Sequence, residues 1–102
     1  MSIKKQYLKS DGICKVTFSL KEKVNSIGSV RIPGDFNDWD TNCEPMTKLK
    51  TGGFTQTINL KSGKDYQFKY LINDSVWAND PESDEFVPNY LGNGNTNSKI
   101  VI

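Results

Sequence analysis

Tyr66-Gln67-Phe68-Lys69-Tyr70-Leu71-Ile72-Asn73-Asp74-Ser75-Val76-Trp77 spaces four large apolar side chains, Tyr66, Phe68, Tyr70 and Ile72, two residues apart. Successive side chains of an extended strand point to opposite sides, so this spacing puts all four on one face. Gln67 and Lys69 fall on the opposite face, where Lys69 should be available to a ligand. Asn73-Asp74-Ser75 then turns the chain back toward Val76-Trp77, because Asn, Asp and Ser bond to their own backbone in turns. The segment reads as one strand, a tight turn and the start of an antiparallel neighbour.

The same period recurs on both sides. Cys14, Val16, Phe18 and Leu20 alternate with Lys15, Thr17 and Ser19, as in a half-buried strand. Ile27, Val30 and Ile32 mark a further strand that ends at Pro33-Gly34, and Phe54, Ile58 and Leu60 alternate with Thr55, Thr57 and Asn59 after Gly52-Gly53. Phe86-Val87 forms a short strand and Lys99-Ile100-Val101-Ile102 closes the sheet; an exposed edge at residues 98 to 102 would allow pairing, which nothing in the sequence predicts. No stretch of useful length repeats apolar residues at i, i+3, i+4 and i+7. Six to eight short strands with turns between them predict an all-β fold, an antiparallel β-sandwich that is immunoglobulin-like in plan. A chain of 102 residues with 35% apolar content supports a single domain, residues 1–102, with a thin core.

Composition excludes several functions. Thirteen basic and twelve acidic residues leave a net charge of +1, without the concentrated basic face that phosphate neutralisation needs, so no nucleic-acid partner is expected. The chain has no histidine, which removes the commonest metal ligand and the commonest general base near neutral pH. Cys14 and Cys43 are too few and too far apart for a disulfide framework or a zinc site, and Cys14 reads as a buried free thiol. Neither a signal peptide nor a membrane span is legible, so the expected location is cytoplasmic, away from membranes.

Catalysis has little to draw on. Asp80, Glu82, Asp84 and Glu85 crowd one stretch as a glycosidase pair would, but their setting after Pro81 reads as a solvated loop. No nucleophile elbow occurs, and Gly92-Asn93-Gly94-Asn95 lacks the strand-to-helix setting of a phosphate loop. We therefore expect no enzyme and no cofactor. Binding is better supplied. Trp39 and Trp77, the two tryptophans, each close a short polar loop, Trp39 at the end of Pro33-Gly34-Asp35-Phe36-Asn37-Asp38. A flat ring in such a loop is either a lid on the core or a platform for a ligand. Sugars pack their C–H faces on such rings and bond their hydroxyls to amides and charges at the rim, so Trp39, Trp77, Lys69 and Asn97 supply the parts of a sugar site.

The series Val30-Arg31-Ile32-Pro33-Gly34-Asp35-Phe36-Asn37-Asp38-Trp39, Pro45-Met46, Gly53-Phe54, Leu60, Gly63, Tyr66-Gln67-Phe68-Lys69-Tyr70, Trp77, Asp80-Pro81 and Asn97 resembles the family 48 carbohydrate-binding module. That module is the early-set sandwich at the N-terminus of isoamylases and glycogen-branching enzymes, and the glycogen-binding domain of the AMP-activated kinase beta subunit. The resemblance covers about residues 28 to 102; residues 1 to 20 supply opening strands without a signature. It implies an immunoglobulin-like early-set sandwich that binds α-1,4-glucan (glycogen, starch or a maltooligosaccharide). It implies stacking on Trp39 and Trp77, hydroxyl contacts from Lys69 and Asn97, and packing by Leu91. The Asn73-Asp74-Ser75-Val76 turn is one residue longer than the family's, so Trp77 keeps its face only where a bulge absorbs the extra residue. The loop from Gly92 to Asn97 is also longer, leaving Asn93, Asn95 and Asn97 as alternatives for the rim asparagine. The competing reading is a docking or spacing domain beside a glycogen- or starch-metabolising enzyme.

Overall fold

The computed structural model describes residues 2–8, 12–20, 27–50, 52–88 and 96–102. Ten strands run through them: β1 (Ser2–Leu8), β2 (Ile13–Leu20), β3 (Val30–Arg31), β4 (Thr47–Lys48), β5 (Phe54–Lys61), β6 (Asp65–Phe68), β7 (Tyr70–Ile72), β8 (Val76–Ala78), β9 (Glu85–Pro88) and β10 (Thr96–Val101). A single 3₁₀ turn, Asp35–Asn37, is the one helical element among the described residues, so no helix there is long and apolar enough to cross a membrane. Every pairing is antiparallel, in sheets ordered β1-β2-β5-β4, β6-β10-β9 and β3-β7-β8. β6 and β7 are one run of chain interrupted only at Lys69, so the two three-stranded sheets share a strand path. The architecture is all-β and compatible with a β-sandwich.

Alternation decides what the sheets bury. Cys14, Val16, Phe18 and Leu20 are all buried on β2, as their period of two requires, and Cys14 is a free thiol. They join Phe54 and Leu60 of β5 with Val30, Ile32, Met46, Phe68, Tyr70, Ile100 and Ile102 in one apolar core. Phe18 meets Phe68 edge-on at 5.2 Å between ring centroids and Tyr70 at 6.5 Å, and Phe68 meets Tyr70 at 5.7 Å. Such aromatic pairs contribute about 0.5–1.5 kcal/mol each beyond simple burial. The ring trio therefore fastens β2 to the β6–β7 strand path.

Three expectations are corrected. The strand expected through Ile27, Val30 and Ile32 is only Val30–Arg31 long, because its carbonyls are claimed outside the ladder: Met46 N–H donates to Val30 O at 2.7 Å and Asn37 Nδ2 to Ile32 O at 3.0 Å. Ser98 and Lys99 are not an edge, since β6 and β9 flank β10 there, while Ile100 and Val101 pair with β6 alone. Asp80 is not solvated but fully buried. Tyr70 OH donates to its Oδ2 at 2.6 Å, Glu82 N–H to its Oδ1 at 2.9 Å, and the Asp80 N–H to Ser98 Oγ at 2.9 Å. Burial, then the hydrogen bond to Asp80 and the carboxylate charge, push the Tyr70 hydroxyl far above its ordinary range. The last concerns Lys69 and belongs with the site.

Lys5, on the edge strand β1, ties that strand to β10 and to Asp84 just before β9. Its Nζ donates to Asp84 Oδ2 at 2.5 Å and to Val101 O at 3.0 Å, and Val101 N–H donates to the same carboxylate oxygen at 2.7 Å. Burial raises the Asp84 carboxyl, but the Lys5 hydrogen bond, the Val101 N–H and the Lys5 charge outweigh it, and the net shift is downward. A carboxylate lowered on folding binds fewer protons folded than unfolded. Its contribution is thus present above the ordinary carboxylate pKa and is lost as pH falls through the lowered value. Lys5→Gln should therefore cost a little stability at neutral pH and move the acid-unfolding midpoint, followed by circular dichroism, upward by a fraction of a pH unit, the two chains becoming alike at the lowest pH. Coincident acid transitions would remove Lys5 from this role.

Candidate functional site

The loop that carries Trp39 is built from its own side chains. Gly34 lies extended and bridges to Phe68, so close that backbone contact replaces side-chain packing. Asn37 closes the turn from both ends: Gly34 N–H donates to its Oδ1 at 3.0 Å, and its own N–H donates to Gly34 O at 3.1 Å. Gly34 O also accepts Trp39 N–H at 2.9 Å. Asp38 and Trp39 both adopt left-handed backbone, each at φ 57°, a conformation that costs a bulky aromatic roughly 1–3 kcal/mol and persists only when its surroundings hold it. The indole is held too, its Nε1–H donating to Asp35 Oδ1 at 2.9 Å. The second oxygen of Asp35 accepts Gln67 N–H at 2.8 Å, which ties the loop to β6.

The longer turn before Trp77 resolves as a bulge. Asn73 and Asp74 are both left-handed, at φ 53° and 59°, and Ser75 N–H donates to Ile72 O at 3.1 Å, which makes a mirror-image turn of the kind that hairpins prefer. The ladder nevertheless pairs Ile72 with Val76, so Ser75 is the extra, unpaired residue. Trp77 consequently stands opposite Leu71, on the face turned away from Tyr70 and Ile72. Arg31 flanks Leu71 on its other side, held by an ion pair with Asp74 and by its Nε–H on Cys43 O at 2.8 Å. Trp77 remains 45% exposed, and Trp39 is half-buried. Neither indole belongs to the core.

Lys69 departs from its expected exposure. It sits at the break between β6 and β7, where its N–H donates to Pro33 O at 3.1 Å instead of to a neighbouring strand, and only 9% of it is exposed. Its Nζ donates to Thr96 O at 2.8 Å, a carbonyl that also accepts Asn79 Nδ2 at 3.0 Å. Desolvation lowers the Lys69 ammonium below the ordinary lysine range. Asn97, on β10, donates its Nδ2 to Gln67 Oε1 at 3.2 Å. Leu91, Asn93 and Asn95 lie outside the described residues.

The structure thus links Trp39, Asp35, Gln67 and Asn97 in one chain of hydrogen bonds, and separately ties Lys69 and Asn79 to the first residue of β10. Asp35 and Gln67 were not singled out from sequence as site residues. Gln67 shares the polar face with Lys69, and Asp35 lies in the polar loop that Trp39 closes. Of the crowded carboxylates, Asp80 bonds Tyr70, Asp84 bonds Lys5, and Glu85 pairs with Lys99 at 2.9 Å. Among the described residues, no three His, Cys, Asp or Glu side chains gather as metal ligands would. No protein-family model matches the chain, and no curated protein matches its sequence.

Proposed function

We propose that this chain is a non-catalytic α-glucan-binding module of the family 48 type, an immunoglobulin-like early-set sandwich. It takes glycogen, starch or a maltooligosaccharide by ring stacking and hydroxyl contacts. The observation that carries the reading is the setting of the two indoles. Trp39 is fixed by its edge N–H outside the core and linked through Asp35 to the amides of Gln67 and Asn97, and Trp77 stands exposed on β8. A ring held by its edge, as Trp39 is, keeps its faces for a sugar. A few stacked rings on a wet, shallow surface support an affinity on the order of micromolar to millimolar.

A second reading has its own observation. With Lys69 buried and its ammonium bonded to Thr96 O, one polar group of the expected rim is engaged within the protein. This favours a docking domain beside a glycogen- or starch-acting enzyme, with the sugar site degenerate. One titration separates the two. On adding maltoheptaose to the ¹⁵N-labelled chain, the indole N–H signals of Trp39 and Trp77 should shift, while cellohexaose leaves them in place. Silence toward maltoheptaose up to about 10 mM, a Kd worth under about 3 kcal/mol, would favour docking. Equal response to both sugars would overturn α-linkage selectivity.

A further inference from the structure

We infer that Asp35 is a positioning residue for this surface: its carboxylate presets the Trp39 indole and joins the ring to β6 before any ligand arrives. The inference rests on the glucan reading for its ligand, but its geometry stands apart from it. Asp35 begins the 3₁₀ turn, four residues before Trp39, which brings Oδ1 to the indole Nε1–H at 2.9 Å. Oδ2 meanwhile accepts the Gln67 N–H at 2.8 Å. Only a carboxylate presents two acceptors to two N–H donors; an amide in its place would turn a donor toward one of them. Gln67 then passes the connection on through its side chain to Asn97.

Orientation matters here because the loop is strained. Trp39 holds a left-handed backbone, and its N–H is fixed on Gly34 O. With the backbone so placed, the remaining freedom is that of the indole about its own side-chain bonds. The Asp35 bond removes it, and it does so at the ring's edge, away from the faces on which a sugar would pack. A side chain already ordered loses less entropy on binding, so the carboxylate supports affinity without touching the ligand.

The test is a double-mutant cycle read together with the indole signal. Asp35→Asn should accelerate exchange of the Trp39 indole proton with solvent and weaken maltoheptaose binding about two- to tenfold. Trp39→Phe keeps a ring and deletes the N–H; adding Asp35→Asn to it should change binding no further. An equal loss in both backgrounds would overturn the inference, because Asp35 would then act through β6 alone. Unchanged indole exchange in Asp35→Ala, which leaves an acceptor for neither N–H, would overturn it too. Should Asp35→Asn fail to fold, the wild-type chain decides: the Trp39 indole proton should exchange at least about fivefold more slowly than that of Trp77, for which the described residues provide no carboxylate. Equal rates would overturn the inference. Should the wild-type chain bind no maltoheptaose, the glucan reading fails, and the exchange rates still decide whether Asp35 holds the ring.

Discussion

Gly34→Ala should lower the melting temperature by about 10–20 °C, the result of a destabilisation of about 2–3 kcal/mol in a domain of this size. The reason is space, since the backbone of Gly34 is extended at φ −170°, which any residue adopts. A Cβ added there would lie 2.7 Å from Gln67 O, 2.8 Å from Phe68 Cβ and 3.0 Å from Phe36 Cζ. Two of those atoms belong to, or adjoin, the backbone of β6 and cannot swing away. The strand or the loop must move, and Phe68 is part of the aromatic trio that fastens β2 to the β6–β7 strand path. The loop would suffer as well, because Gly34 O accepts the N–H groups of both Asn37 and Trp39. Thermal denaturation followed by circular dichroism checks this directly. A variant melting within about 2 °C of wild type would mean that the approach of loop to strand is not as close as described.

How much of this was legible in the sequence follows from how local each determinant is. The period-two runs on β2 and β5 gave their strands and buried faces correctly, because alternation needs only neighbours in the chain. Asn73 and Asp74 announced a turn for the same reason. What escaped depended on partners far away. Asp80 was read as loop content, yet Tyr70 and Ser98, on two other strands, complete its hydrogen bonds and take it out of solvent. Lys69 was read as outward and accessible, but Pro33 O claims its N–H and Thr96 O its ammonium. β1 carries Lys5 on its inward face, so its pattern is weak until Asp84 and Val101 are seen beneath it. Strand order is the least local property of all, and the place of β10 between β6 and β9 cannot be read from its own residues. At the site, the sequence supplied the rings, and the structure supplied the carboxylate that holds one of them.

Replacing both rings separates platform from scaffold most sharply. Trp39→Ala with Trp77→Ala should abolish retention on a glycogen-containing gel and leave the chain folded, with a melting temperature within about 10 °C of wild type. The loss follows from magnitudes. If each stacked ring contributes about 1–2 kcal/mol, removing both costs about thirty- to a thousandfold, and a site that begins in the micromolar to millimolar range then drops out of reach. The stability cost stays small because neither ring enters the core. Trp39→Ala forfeits one exposed hydrogen bond to Asp35, about 0.5–1.5 kcal/mol, and Trp77→Ala uncovers part of Leu71, which stands opposite it. The two single variants should not behave alike. Trp39 is fixed at its edge by Asp35, whereas Trp77 is held by its strand and a bulged turn, so Trp39→Ala should lose the larger share of affinity. Undiminished retention in the double variant would remove both rings from the site. Loss of retention together with a collapse of the melting temperature would instead make the tryptophans part of what holds the sheets together, against their exclusion from the core.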